Sequence, residues 1–200
     1  CYKGKAYDPI FIALGKTVAD CNIPIETLEN LIRAFKQDVV KSRYANFNEV
    51  LGYCENSANP VGRLVLMVFG NHDEEKFRYS DKICTALQLT NFWQDVAVDL
   101  EKDRVYLPEE DIIRFGYSYD KLFEKKFDES FKELMKFQVN RTRELFNEGK
   151  TLIKLTERNK DLKKLSKELK LTLAGGNIIL DKIEELNYNT LTARPVISKS

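Results

Sequence analysis

Four side chains in one short stretch have the types and spacing for oxygen-ligand chemistry. They are Gln88, Asn91, Asp95 and Asp99, in the run Gln88-Leu-Thr-Asn91-Phe-Trp-Gln-Asp95-Val-Ala-Val-Asp99. On a helix at about 100° per residue, these positions fall within an arc of about 80°, stacked over about 16 Å. Two carboxylates one turn apart repel each other when ionised, more so when desolvated, and a cation offsets that repulsion. Magnesium suits the set, because it takes oxygen ligands, keeps several waters and bridges one or two carboxylates to a substrate phosphate. A DxxxD pair alone, in a chain with 31 acidic residues, reads as a solvated face. The register of Gln88 and Asn91 shifts the reading to a metal site, as does the segment holding Arg104 and Tyr106, which follows the helix end and is placed to reach a bound diphosphate.

The elements that must position these groups read as helices. Apolar residues recur at helical spacing, and five prolines and nine glycines are the main interruptions. Pro9 to Asp20 carries Ile10, Phe11, Leu14 and Val18 on one face. Pro24 opens a second helix with Leu28, Leu31, Ile32 and Phe35 expected inward. A third runs from Asn48 to Phe69 with a break near Asn59-Pro60, where proline removes a donor and clashes with the preceding turn. A fourth, after the capping residues Asn71 to Asp73, is expected to continue to Leu100 as the central helix, buried through Ile83, Leu87, Phe92, Val96 and Leu100, so that the polar stripe lines a cavity.

Beyond it come an extended link, Val105 to Pro108, a short helix Glu109 to Arg114, a long one from Tyr119 to Asn147 and a last helical stretch from Lys154 to Leu186, with Gly175-Gly176 as a kink or close-packing point. Lys160, Lys163, Lys164, Lys167 and Lys170 alternate with Leu162, Leu165, Leu169 and Leu173. That pattern reads as a solvated face, with docking to an anionic membrane surface as the sharper alternative. With neither repeat nor linker, residues 1–200 read as a single all-α domain.

Composition excludes several classes of function. The 32 basic and 31 acidic side chains leave a net charge of +1, so no global field favours nucleic acid. Apolar runs fall short of the roughly 18 residues of a membrane span, and the chain opens without a signal-peptide pattern, so a cytoplasmic protein is expected. Cys1, Cys21, Cys54 and Cys84 are far apart and the sole histidine is His72, which disfavours zinc knuckles, redox dithiols and histidine-based triads. The cysteines read as small core hydrophobes in a reducing compartment.

These residues resemble the head-to-head prenyl synthases: squalene, phytoene and dehydrosqualene synthases. Their second aspartate-rich motif, QxxNxxxDxxxD, followed by an R-[IV]-Y-[LF]-P segment, is matched by Gln88, Asn91, Asp95, Asp99 and Arg104-Val105-Tyr106-Leu107-Pro108. The run Tyr53-Cys54-Glu55-Asn56-Ser57-Ala58-Asn59-Pro60-Val61-Gly62-Arg63-Leu64 looks like the family's pocket helix, and its S-A-N-P-V-G-R variant resembles the hydroxysqualene synthase branch of bacterial hopanoid synthesis. The stretch from Asn187-Tyr188 through Arg194-Pro195 to Lys199 resembles the family terminus.

The resemblance implies an isoprenoid synthase bundle around a central cavity and magnesium-assisted ionisation of a prenyl diphosphate. Gln88, Asn91, Asp95 and Asp99 would hold Mg2+, Arg104 and Tyr106 would contact diphosphate or cation, Tyr53 and Asn59 would line the cation pocket, and Arg63 would bind phosphate or form a structural ion pair. Asp38, Arg43 and Tyr44 lie in a stretch typical of the family, without an assigned role. For the hydroxysqualene branch the substrate is presqualene diphosphate, water captures the carbocation, and no nicotinamide is needed. The alternatives are a squalene or phytoene (dehydrosqualene) synthase condensing two prenyl diphosphates, farnesyl diphosphate among them, and a non-catalytic relative serving as an assembly factor. An intact four-residue stripe argues against the last. A peripheral contact with the inner membrane would suit release of a lipid product. Family members also carry a first aspartate-rich motif on an N-terminal helix; none precedes Cys1-Tyr2-Lys3-Gly4, so those helices are expected to be missing from this chain.

Overall fold

The structure is a computed structural model that describes residues 7–197; Cys1 to Gly4 and Ser198-Lys199, singled out above, lie outside the described residues. Among the described residues every regular element is helical. Helix α1 (Pro9–Asp20) starts where Asp8 accepts a hydrogen bond from the Ile10 amide and Pro9 presets the first turn. Helix α2 (Ile25–Val40) follows Pro24. Helices α3 (Phe47–Ser57) and α4 (Asn59–Val68) are the two halves of the expected broken helix, separated at Ala58. Helix α5 (Glu74–Gln94), capped by Asp73, packs against α4 on one side and α9 on another, and also touches α3, α10 and α11.

Helices α6 (Val96–Leu100), α7 (Glu109–Arg114) and α8 (Tyr119–Phe123) are short. They lead to α9 (Glu129–Gly149), α10 (Thr151–Glu157), a 3-10 turn at Lys160–Leu162 and α11 (Lys163–Glu185). The core is built on α5. Trp93 is fully buried and donates through its indole nitrogen to Thr142 Oγ1 on α9 at 2.8 Å, which satisfies both polar groups in an apolar setting.

Several expectations are corrected. The faces of α1 and α2 expected inward are largely exposed: Ile10 is 75%, Phe11 55%, Ile32 52% and Phe35 65% accessible, while Leu14, Leu28 and Leu31 are half-buried. Val18, Thr27 and Ala34 are the residues these helices bury. Helical period was readable there, but α2 turns its small-residue ridge toward α3 and α4. The central helix is not continuous to Leu100. Asp95 leaves helical geometry at φ −104°, ψ 16°, although the bonds Asp95 N to Asn91 O (2.9 Å) and Asp99 N to Asp95 O (2.8 Å) carry the turn across the break.

The helix expected from Tyr119 to Asn147 is α8 and α9, parted by a turn in which Lys125 adopts φ 51° and Asp128 caps α9 through the Phe131 amide. The last stretch is likewise α10, the 3-10 turn and α11. Gly175-Gly176 is no kink, since α11 runs through it; a Cβ on Gly176 would come within 2.5 Å of the Phe146 ring, so this glycine permits close helix contact. The lysines from 160 to 170 point to solvent over buried Leu162, Leu165 and Leu173, as a solvated face requires.

Candidate active site

After α6 the chain reverses tightly. Asp103 takes φ 54°, the amide of Arg104 bonds back to the Asp99 carbonyl (2.9 Å), and that of Val105 bonds to the Ser42 carbonyl (2.9 Å). Arg104 and Tyr106 are thereby brought back beside the helix end that carries Asp95 and Asp99. Tyr106 lies flat on Phe92 and also contacts Tyr44 and Tyr53. Tyr53 donates its hydroxyl to Asp38 Oδ2 at 3.3 Å, and Arg104 donates to the Asp38 backbone carbonyl at 3.2 Å. Asp38, which had no sequence-derived role, is thus the point where α2, α3 and the returning segment meet. A crevice of about 10 Å³, room for about one water, is lined by Asp99, Arg104, Tyr106, Phe92 and Val96.

Electrostatics at this end favour a positive guest. Burial and the charge of Asp95 push the Asp99 carboxyl up to about 6, and Lys102 and Arg104 offset this only in part. Asp95 accepts from Asn91 Nδ2 (2.9 Å), which leaves the Asn91 carbonyl oxygen as a further acceptor. It also accepts from Arg194, whose Nε is 2.6 Å from Oδ1 and whose Nη2 is 3.3 Å from Oδ2. Gln88 follows one turn below Asn91 and is half-buried. The stripe lies at an open edge, with Asn91 exposed, rather than inside an enclosed cavity.

Among the described residues no three acidic, histidine or cysteine side chains converge. The donor set nevertheless fits magnesium, which needs only one or two protein carboxylates when phosphate and water complete its shell. Asp95 and Asp99, with the amide oxygens of Asn91 and Gln88, would hold it, and the raised Asp99 carboxyl registers the electrostatic tension that a cation would relieve.

Helix α4 lies along the lower half of α5 and divides two clefts. One, of about 250 Å³, is lined by Val61, Gly62, Val65 and Leu66 of α4, by Ser80, Ile83, Cys84 and Leu87 of α5, and by leucines of α10 and α11. Cys84, one turn below Gln88 on α5, puts one wall of it on a flank of the polar stripe. Gly62 lets α4 close onto α5 beside this cleft: a Cβ there would collide with Ser80 Oγ and Cys84 Sγ.

The other cleft, of about 570 Å³, holds Asn59 and Arg63, together with Asp81, Lys82 and Thr85. Here the structure places two of the expected residues, and for Arg63 it shows the ion-pair alternative. Asn59 is buried and accepts from Thr85 Oγ1 at 2.9 Å, and Arg63 makes a two-pronged pair with Asp81 (Nε to Oδ1 3.0 Å, Nη2 to Oδ2 2.6 Å). Position 59 opens α4 on the side away from Val61 and Val65, so neither side chain joins the stripe. The residue missed by sequence reasoning is Arg194. The resemblance of the chain's end to the family terminus was the available signal, but it carried no role.

The squalene/phytoene synthase family model matches residues 2–200. The chain belongs to that family. A solved squalene synthase, HpnC from Alicyclobacillus acidocaldarius, superposes with a TM-score of 0.89 at 38% identity, covering 94% of this chain and 70% of that one. A dehydrosqualene synthase structure matches with a TM-score of 0.76 at 21% identity, over 92% of this chain and 63% of the other, which is a likeness of fold. The all-α isoprenoid synthase fold is therefore that of this chain. Phytoene synthase 1 of Solanum lycopersicum is 30% identical across the whole chain, and the chain spans about half that relative's length, 48%. Phytoene synthase 2 of the same plant is 31% identical over 99% of this chain and 64% of its own.

Proposed function

We propose that the protein is a magnesium-dependent synthase acting on a prenyl diphosphate, and that its reaction is the conversion of presqualene diphosphate to hydroxysqualene and inorganic diphosphate. The carrying observation is the arrangement along α5: carboxylates, Arg104 and two tyrosines at one end, and an apolar cleft beside Gly62, Val65, Leu87 and Leu165 at the other. An anionic head with a long hydrocarbon tail is complementary to that gradient. From Asp95 to Cys84 the helix rises about 16 Å, the scale of an extended isoprenoid.

Bound magnesium would neutralise charge that develops on the leaving diphosphate. Asp95 and Asp99 hold the cation's place, and Arg104 and Tyr106 face the same crevice and orient the diphosphate oxygens. The ester C–O bond breaks with its electron pair leaving on diphosphate. The cyclopropylcarbinyl cation rearranges, a water oxygen forms the new C–O bond, and the proton passes to solvent. Water capture is supported by the S-A-N-P-V-G-R variant of the pocket helix, whereas the solved HpnC structure at 38% identity is named a squalene synthase. Asn59, whose Oδ1 accepts from Thr85, lines the larger cleft.

The second reading, condensation of two prenyl diphosphates to squalene or phytoene, is favoured by the phytoene synthases at about 30% identity. Presqualene diphosphate and magnesium, with and without NADPH, decide between the two by mass spectrometry of the extracted lipid. An alcohol formed regardless of NADPH supports the proposal. A hydrocarbon, or condensation of two farnesyl diphosphates, replaces it with the second reading. Peripheral membrane contact for product release is an extension of the same proposal; among the described residues no helix is long and apolar enough to cross a membrane.

A further inference from the structure

The end of the chain folds back over the break between α5 and α6. Asn187 and Tyr188, both at positive φ (51° and 64°), end α11 and turn the backbone. Thr190 and Leu191 are then buried, which anchors the segment in the core. Four residues later Gln94 Nε2 donates to the Pro195 carbonyl at 2.6 Å. Between these two anchors stands Arg194, pressed onto Asp95 across 99 residues of sequence. Asp95 is the less accessible partner, its side chain 16% exposed against 47% for Arg194.

A carboxylate so held cannot offer both oxygens to a cation while the guanidinium remains. A divalent ion arriving at Asp95 and Asp99 repels Arg194 and takes its partner. The guanidinium, its backbone still tied at Leu191 and Pro195, then needs another anion within reach. The planar fork of arginine matches phosphate oxygens two at a time, and a diphosphate on that cation is the anion at hand.

We propose that Arg194 is a positioning residue that couples the two ligands. It occupies Asp95 while the site is empty and transfers to diphosphate when a divalent cation binds, so the cation binds weakly alone and tightly with diphosphate. This rests on the reading of Asp95 as a cation ligand.

Equilibrium dialysis with Mn2+ as the probe, with and without inorganic diphosphate and counting both bound species, tests it on the wild type, Arg194→Gln, Arg194→Lys and Asp95→Asn. Arg194→Gln is expected to bind Mn2+ alone about fivefold more tightly, the worth of an ion pair of about 1 kcal/mol, and to lose most of the gain that diphosphate gives the wild type. Arg194→Lys, which keeps the charge without the fork, should recover part of that gain. An Arg194→Gln protein that binds Mn2+ no more tightly, or keeps the full diphosphate gain, overturns the proposal. Asp95→Asn separates the two readings. If it binds Mn2+ as the wild type does, Asp95 is not a ligand and the underlying site reading falls. If it loses Mn2+ while Arg194→Gln behaves as wild type, only the role of Arg194 falls. Helical circular dichroism of each variant confirms that the fold is intact.

Discussion

Tyr106 lies on Phe92 with ring centroids 3.7 Å apart and planes within 7°. One ring belongs to the segment returning from α6 and the other to α5 two positions before Gln94, so the stack fastens Arg104 and Tyr106 beside the acidic helix end. Tyr44 and Tyr53 enclose the pair from α3 and the loop before it. This aromatic cluster gives the returning segment a fixed seat, and through it the Arg104 contact to the Asp38 carbonyl is kept.

Tyr106→Phe should preserve the stack and therefore the fold, and lower diphosphate affinity only as far as the hydroxyl contributes. Tyr106→Ala removes the ring and should cost about 3 kcal/mol of stability, the range for a large aromatic lost from a packed cluster. It should also weaken diphosphate binding more than Tyr106→Phe does, because Arg104 loses its seat. Urea unfolding and diphosphate dialysis on the two variants check both statements; equal diphosphate affinities would show that the stack does not position Arg104.

Asp99→Ala and Asp95→Ala should each abolish magnesium-dependent turnover, with a loss of at least about a hundredfold, the scale of a preorganised electrostatic contact to a developing charge. Helical circular dichroism should be largely unchanged, since neither carboxylate is part of the apolar core. Turnover at wild-type rate in either variant would remove these residues from the site.

What could be read from the sequence was what is local. Gln88, Asn91, Asp95 and Asp99 lie within 12 consecutive positions, and helical period alone puts them on one face; Arg104 and Tyr106 follow so closely that a tight turn must bring them back. What could not be read depended on contacts distant in sequence. Arg194 meets Asp95 only because Asn187 and Tyr188 reverse the chain. Asn59 and Arg63 share a helix with Val61 and Val65, and a spacing of two residues sends them to opposite sides of α4. The same limit applies to α1 and α2, where period identified the helices correctly but not which face would be covered.

Stability should fall on acidification through the helix-capping carboxylates. Asp128 accepts from Lys121 Nζ (2.9 Å) and from the Phe131 amide (3.1 Å), and Lys121 holds its carboxyl below the usual range. A carboxyl whose folded pKa is depressed stabilises the fold at pH above its unfolded value, near 3.8, and that contribution disappears as pH falls through the folded value. Asp73, capping α5 and paired with Lys76, has the same sign. Asp128→Asn should therefore lower the midpoint of thermal unfolding at pH 7 and narrow its gap to wild type below about pH 4. A gap that stays constant from pH 7 to pH 3 would show that the ionised form of Asp128 contributes nothing.

The apolar cleft makes its own prediction through Gly62. With no side chain there, Ser80 and Cys84 stand directly against α4, and any Cβ would meet Ser80 Oγ at 2.3 Å and Cys84 Sγ at 2.5 Å. Gly62→Ala must push both side chains aside, at a cost of about 1 to 3 kcal/mol for overpacking, and Gly62→Val would in addition fill the mouth of the cleft. If the hydrocarbon tail lies there, Gly62→Ala should raise the KM for the prenyl diphosphate while leaving the affinity for inorganic diphosphate unchanged, because Cys84, which Gly62 faces, is about three turns, or about 16 Å along the helix, from the head-group end at Asp95. The double variant Gly62→Ala with Ser80→Ala restores space by deleting the hydroxyl oxygen nearest the new methyl, and should recover part of both the stability and the KM. An unchanged KM for the prenyl substrate in a folded Gly62→Ala protein would mean that the tail takes another path, and the cleft between Asn59, Arg63 and Asp81 would become the alternative to test.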